Sequence, residues 1–515
     1  MGESHYVNER AGRLIDAGVL TLAIALGITL RVHFLYQPIK YDEALTFTFA
    51  TQPLSQSLSE GYFPNNHLLH TLLAHASMKC FGQSEWSLRV PAFVAGVMMI
   101  PATWLMARRL FGGTGAALAA AMLVAVSSAL VDYSTNARGY TIVALIFLIM
   151  LTVADVIMRE TLTRRAQWCA WATMAILAAL GFYAIPVMLY PFGAVAVWMG
   201  LHALRRRPAM RIPLIASTAA AALLILLLYA PVFQRSGMEA VAGNKFVRSL
   251  SWADVLARLP GMARDTWLLW MRDMPAAIVG ALVIGVVASL VLNRRDPVGR
   301  AHPLIVAVAW CALAVAVQRV VPYPRVWLFL LPLVFASAAA GIEVLLRLPV
   351  VPRYEHGAVV AGPLLVLVIG AWLGWQTYAA ESPTYSEETG TLPAAPRIAR
   401  DLAARVRPGH RLVAHVPASA PMRFYCRRNR IPGAMWLPRP DAPPHPILWV
   451  IVREPTQTLE FVLRAQRVTT EPYGPPRKVR EYAGASLYRL VLRDDAGATT
   501  GPVPITPEEP PAPRW

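Results

Sequence analysis

The chain reads as a multi-pass α-helical membrane protein that ends in a small extracytoplasmic α/β domain. Three observations predict this class. Of 515 residues, 56% are hydrophobic and 15% are charged, and the mean hydropathy is +0.45. Apolar runs of about 18–23 residues recur, each long enough to cross a bilayer. Arginine-rich loops alternate with loops that lack them, the pattern of the positive-inside rule. That rule also accounts for the net charge of +18. No basic run is interleaved with aromatics as a nucleic-acid groove would be, so no nucleic-acid partner is expected. The four cysteines (Cys80, Cys169, Cys311, Cys426) have neither metal-binding nor disulfide-framework spacing.

The first apolar run, 14–35, lacks a small-residue cleavage site. Arg31-Val32-His33-Phe34 stands where one would lie, so the segment is read as a retained anchor. Further spans are expected at roughly 87–107, 114–131, 140–158, 166–184, 186–203, 212–232, 276–292, 303–320, 326–346 and 357–377. The stretch 67–81 is short and holds His67, His70, His75 and Lys79. If it does not span, Arg108-Arg109, Arg159 with Arg164-Arg165, Arg205 to Arg207 with Arg211, Arg294-Arg295, and Arg347 with Arg353 all fall on the side of the N-terminus. It is therefore expected as a juxtamembrane or re-entrant helix, leaving about 11 transmembrane helices, the N-terminus inside and the C-terminus outside. Residues 233–275, with Trp252, Trp267 and Trp270 among arginines, suit an interfacial amphipathic helix.

Composition changes near residue 379. The expected division is a transmembrane domain over 1–378, a Pro/Ser/Glu/Thr-rich linker over 379–396, a soluble α/β domain over 397–494 and a disordered tail over 495–515. Helices are expected at 396–406 and 456–465, and strands at 410–416, 447–452 and 485–492.

Polar residues then gather on the outward side. Asp42 and Glu43 follow the first span, Asn65-Asn66-His67 opens the juxtamembrane helix, and Asp132 ends the third span. Arg138 and Tyr140 open the fourth, and Arg325 opens the tenth. Ionisable groups at membrane depth mark function more often than packing. Acids and arginines together suit glycosyl transfer from a lipid-linked phosphate sugar. A lipid phosphate leaves without an acid if positive charge meets the developing oxyanion, which Arg138 and Arg325 supply. The attacking hydroxyl needs one carboxylate base, and inversion follows if base and phosphate face each other across the sugar. Asp42 and Glu43 are adjacent, so their side chains diverge, and Asp132 is the better second carboxylate. Each residue also has a structural alternative, a solvated loop acid, a helix terminus or an arginine snorkelling to headgroups. The histidines at 67, 70 and 75 match no zinc motif.

The Asp42-Glu43 pair, Phe81-Gly82-Gln83-Ser84-Glu85-Trp86-Ser87-Leu88-Arg89-Val90-Pro91-Ala92, Ala107-Arg108-Arg109-Leu110-Phe111-Gly112, Ala137-Arg138-Gly139-Tyr140, and Pro324-Arg325 before Leu328-Phe329-Leu330-Leu331-Pro332 resemble a family. The chain is similar over roughly 14–346 to GT-C glycosyltransferases of the protein O-mannosyltransferase and lipid A aminoarabinose transferase type. The resemblance implies a GT-C fold and a polyprenyl-phosphate sugar donor. It also implies a glycan, lipid or protein acceptor on the outer face of a bacterial inner membrane, with a base at Asp42 and a second acid near Asp132. The site residues expected are Asp42, Glu43 and Asp132 as catalytic acids, with Arg138, Arg325, His67, Asn66 and Tyr140 toward the donor phosphate. Relatives often carry His-Pro-Pro or Lys-Pro-Pro where this chain has Asn65-Asn66-His67. Some relatives use a divalent metal ion and others do not, so a metal cofactor stays open. The rival reading is a polytopic transporter or lipid-linked sugar flippase, against which stand mid-span regions nearly free of charge.

Overall fold

The computed structural model describes residues 2–59, 63, 65–159, 162–242, 249–292, 300–348, 358–385, 390–436 and 445–493. Arg294, Arg295, Arg353 and the tail 495–515 lie outside them. The chain divides into two compact units, one of residues 1–36 and 52–383 and one of residues 37–51 and 384–515. The sequence offers no hint that 37–51, with the acid pair, groups with the C-terminal residues.

The first unit is helical. Its main helices are α1 (Gly2–Leu35), α2 (Leu68–Phe81), α3 (Glu85–Phe111), α4 (Thr114–Val126), α5 (Ser128–Ser134), α6 (Tyr140–Met158) and α7 (Arg164–Ala184). There follow α8 (Leu189–Arg205), α9 (Arg211–Ser236), α10 (Trp252–Trp270), α11 (Ala276–Leu292), α12 (Pro303–Gln318), α13 (Leu331–Leu346) and α14 (Ala358–Ala379). Among the described residues, eight helical segments are long and apolar enough to cross a membrane: Gly12–Leu35, Glu85–Phe111, Tyr140–Met158, Arg164–Ala184, Pro186–Arg205, Pro208–Ser236, Pro324–Leu346 and Gly362–Ala379. α11 and α12 are shorter apolar helices. α2, at 14 residues, is not among the spanning helices.

The third expected span departs from a single rod. α4 and α5 are separate helices bent by 58° at Ser127. A break leaves the last four carbonyls of a helix without intrahelical donors, and inside a membrane protein no water replaces them. Here each is met. Leu123 O accepts from Ser127 N at 3.0 Å. Val124 O and Ala125 O accept from the Arg31 guanidinium at 3.2 and 2.9 Å. Val126 O accepts from the Thr377 hydroxyl at 2.6 Å. Periodicity within 114–131 cannot reveal the break, because its donors lie in α1 and α14.

Small residues let the helices close up. A Cβ on Gly341 of α13 would collide with the Gly285 carbonyl oxygen of α11, the close approach that glycine permits between apolar helices. Large apolar side chains such as Ile212, Ile215 and Leu227 stay exposed on the outer faces, as lipid contact requires.

The second unit holds a four-stranded sheet of order β1-β2-β4-β3, with β1 (Arg411–Ala414), β2 (Ile447–Arg453), β3 (Arg477–Tyr482) and β4 (Ala485–Val491). β1 and β2 run parallel and the other pairs antiparallel. β2 is apolar from Ile447 to Val452 and buried on both faces over Leu448–Val452, as a central strand should be. α15 (Ala395–Arg405), α16 (Ser419–Arg428) and α17 (Leu459–Ala465) complete the α/β arrangement. α15 buries Ile398, Ala399 and Leu402. α16 and β3 are additions to the expected elements.

Buried charge in the first unit is paired away from the candidate site as well. Asp155, fully buried in α6, accepts from Arg109 at 3.4 Å, Arg159 at 2.9 Å and Arg300. Removing one partner of such a cluster strands the others in low dielectric. Asp155→Ala is expected to lower the unfolding free energy by about 3–5 kcal/mol, measured in detergent micelles. A variant as stable as wild type would show that the cluster carries no weight.

Candidate functional site

In the first unit the structure joins several of the expected residues. The bent helix α5 carries Asp132, and the loop after it carries Asn136 and Arg138 before α6 opens at Tyr140. Asp132 is 1% exposed and accepts from Arg272 Nη2 at 2.9 Å. Arg272 follows α10, where the sequence marks only an interfacial arginine; nothing local ties it to an acid 140 positions away.

Arg138 is buried. Its guanidinium donates to the Asn65 carbonyl at 2.7 Å and to the Asn65 side-chain oxygen. Arg138 Nη2 also lies 2.9 Å from His67 Nε2, while the Gly139 N–H donates to His67 Nδ1 at 2.9 Å. Burial, then the charges of Arg138, His70 and Arg325, hold His67 well below its ordinary pKa, so the ring is neutral. A neutral imidazole has one accepting nitrogen. The backbone N–H of Gly139 has no other direction to turn, so Nδ1 accepts and Nε2 carries the proton toward Arg138. Two donors thus face each other 2.9 Å apart.

Arg325 donates from Nε to the Tyr140 hydroxyl at 3.0 Å and lies over the Tyr323 ring at 4.7 Å. The Tyr140 ring meets those of His67 and Tyr133 edge-on. His67, Arg138, Tyr140 and Arg325 therefore form one chain of contacts, and Asp132, in the same unit, pairs with Arg272. Asn66 plays another part. Its amide donates to the Ser57 carbonyl at 2.7 Å and its oxygen accepts from Thr71 at 2.6 Å, so its side chain fastens the start of α2.

Two residues beyond the expected set stand out. Asn136 is fully buried, and neither amide atom has a partner among the described residues. His70, one turn along α2 from His67, is also fully buried, with neither ring nitrogen partnered among the described residues; burial and then Arg138 push its pKa down to about 3. Buried polar groups are nearly always satisfied, so both are candidates to meet a polar ligand or ordered water. Among the described residues no three His, Cys, Asp or Glu side chains form a metal-holding group.

Asp42 and Glu43 lie in the second unit, in the first turn of the helix Tyr41–Thr51. The positive end of the helix dipole favours acids there. Glu43 reaches back to accept from the Lys40 N–H at 2.9 Å, the N3-to-cap half of a capping box. That contact is a structural account of Glu43. Asp42 is 7% exposed. Its helix is held by C-terminal residues. Tyr41 N donates to Gly390 O at 2.8 Å, Ile39 N donates to the Tyr425 hydroxyl at 3.0 Å, and the Phe47 and Phe424 rings meet edge-on at 4.7 Å.

Residues 65–233 match the family model described as dolichyl-phosphate-mannose-protein mannosyltransferase. No curated protein matches the sequence. Among solved structures, ArnT from Cupriavidus metallidurans bound to undecaprenyl phosphate superposes with a TM-score of 0.58 at 16% identity, over 92% of this chain and 98% of that one. Its apo form gives 0.57 at 14% identity, with the same coverage. The arabinofuranosyltransferase AftD from Mycobacteria gives 0.50 at 16% identity, over 93% of this chain and 40% of that one. The chain thus has the fold of the GT-C glycosyltransferases, and residues 65–233 carry the mannosyltransferase family's sequence pattern.

Proposed function

We propose that this protein transfers a sugar from a polyprenyl-phosphate donor to an acceptor hydroxyl, with inversion, on the extracytoplasmic face of a bacterial inner membrane. The observation that carries this reading is the donor-facing-donor contact of Arg138 and His67. An anionic oxygen accepting from both relieves it, and a phosphate offers such oxygens. Arg325, whose charge His67 senses, adds a second guanidinium. The undecaprenyl phosphate bound to ArnT supports a donor of that class.

In the reaction, Asp42 takes the proton of the acceptor hydroxyl as its oxygen bonds to the anomeric carbon. The bond from that carbon to the phosphate oxygen breaks, and its electron pair leaves with the lipid phosphate. Arg138, His67 Nε2–H and Arg325 stabilise that charge. Asp132, ion-paired with Arg272, orders the neighbouring loop, and Tyr140 orients Arg325. Glu43 holds the helix turn that bears the base.

The test is transfer of labelled sugar from a pool of polyprenyl-phosphate sugars by the purified full chain. Asp42→Asn is expected to lower turnover by at least about 100-fold with donor affinity kept; undiminished turnover would remove Asp42 as the base. Arg138→Ala and Arg325→Ala are each expected to weaken donor binding by about 10–100-fold, the range for one charge-assisted bond. Unchanged affinity in both would end the phosphate-site assignment. A cysteine placed at Glu85 should react with an impermeant reagent from outside intact cells, and inward labelling would reverse the orientation.

A further inference from the structure

Arg31 has no part in the chemistry above, yet it is the most costly residue in its helix. It sits inside α1, fully buried, and a guanidinium in an apolar span is tolerated only where something specific receives it. Its receivers are backbone oxygens. Nη1 donates to Gly27 O at 3.0 Å and to Ala125 O at 2.9 Å, and Nη2 to Val124 O at 3.2 Å. Two of the three belong to the end of α4. Thr377, from α14, donates to the next carbonyl, Val126 O, at 2.6 Å. Its oxygen also lies 3.0 Å from the Ser128 hydroxyl, so Ser128, the first residue of α5, donates back to it. Arg31 and Thr377 thus grip both sides of the bend. Space for the grip comes from missing side chains. A Cβ on Gly27 would stand 3.3 Å from Arg31 Nη1, and one on Gly96 would collide with Ser134 while standing 3.2 Å from Arg31 Nε.

A straight helix would donate its own N–H groups to Val124, Ala125 and Val126 and would need neither residue. The two external donors are therefore tied to the 58° bend. The bend aims α5, which bears Asp132 and leads within four residues of its end to Arg138.

We propose that Arg31 and Thr377 are positioning residues: together they hold the α4–α5 break at the angle that presents Asp132, Asn136 and Arg138. The effect on turnover rests on the transferase reading above; the effect on the break does not. Because both residues act through backbone carbonyls, side-chain changes at Val124 or Ala125 do not abolish the grip, whereas loss of either donor does.

The experiment compares Arg31→Ala, Arg31→Lys, Thr377→Val and Thr377→Ser in the full chain. Turnover and donor affinity are measured separately, alongside amide hydrogen exchange. Arg31→Ala is expected to cost about 100-fold in turnover, the scale of a small misplacement of reacting groups, and to weaken donor binding by up to about tenfold, because Arg138 is displaced with the break. Thr377→Val should cost about tenfold, and Thr377→Ser, which keeps the hydroxyl, should restore most of it. Arg31→Lys should fall between Arg31→Ala and wild type. Exchange should rise within 123–138 and stay unchanged in α6 and α13. Wild-type turnover and exchange in Arg31→Ala and Thr377→Val would overturn the proposal. So would exchange that rises equally in every helix, or a Thr377→Val defect that serine leaves uncorrected, since both mark general destabilisation. If Arg31→Ala does not fold, the Thr377 pair and Arg31→Lys decide by the same criteria. If wild type transfers no sugar, the transferase reading fails, and exchange alone decides the grip: a rise confined to 123–138 upholds it, and none overturns it.

Discussion

The end of α4 imposes the constraint on which the first unit depends. A helix that stops inside an apolar bundle leaves carbonyls that neither water nor its own backbone meets. Ser127 N still meets Leu123 O, which leaves three such oxygens at the break, and Arg31 and Thr377 reach all three. Satisfying them draws α1 and α14 onto one point of the third span. The same point sets where α5 goes, hence where Asp132 lies to receive Arg272 and where the loop delivers Arg138 to His67. A hydrogen-bond requirement of the backbone thereby becomes a geometric requirement of the candidate site.

Two buried charge clusters in this unit contrast in a way that separates support from function. Around Asp155, three arginines converge on a single carboxylate, and Arg159 also donates to the Arg109 carbonyl at 2.6 Å. That cluster is centred on a buried carboxylate, which accepts from all three guanidiniums. Around Arg138 the count runs the other way. Arginine donates only, the neutral His67 ring can accept on one nitrogen only, and Gly139 already occupies it. Asn136 and His70 add buried polar atoms without partners among the described residues. An excess of donors beside orphaned polar atoms is costly in a resting core and becomes favourable when an anion arrives.

Much of this organisation is legible in the sequence, and what is not has a physical reason. The eleven apolar segments are helical at the expected places, the third as a bent pair of helices, because each carries its signal in its own composition. β1, β2 and β4 are legible for the same reason: their residues alternate or cluster by burial. β3 is not. Its sequence Arg-Lys-Val-Arg-Glu-Tyr is exposed along most of its length and becomes a strand by pairing with β4. The residue types of the candidate site, Arg138, His67, Arg325 and Asp132, could be picked out one by one. Their partners could not, since Asn65, Arg272 and Arg31 act across roughly 70 to 140 positions of chain. Local periodicity carries no record of which distant donor will be needed.

The grouping of residues 37–51 with the C-terminal residues bears on what the α/β unit is for. A general base must be held in one orientation while its substrate changes, and rigid supports achieve this better than a free loop. The helix that bears Asp42 is only 11 residues long, too short to be stable without packing. Its support is Phe424 against Phe47, the Tyr425 hydroxyl on Ile39 N and the Gly390 carbonyl on Tyr41 N. Tyr425 and Phe424 lie on α16, the helix that connects β1 to β2, so the helix bearing Asp42 is braced by an element anchored in the sheet. Gly390 itself adopts φ +65°, and a Cβ there would strike Pro417, so the carbonyl that receives Tyr41 depends on a position only glycine fills. On this argument the C-terminal unit is the mounting of the proposed base, and truncating the chain after α14 would remove the support of Asp42 while leaving Asp42 itself in place.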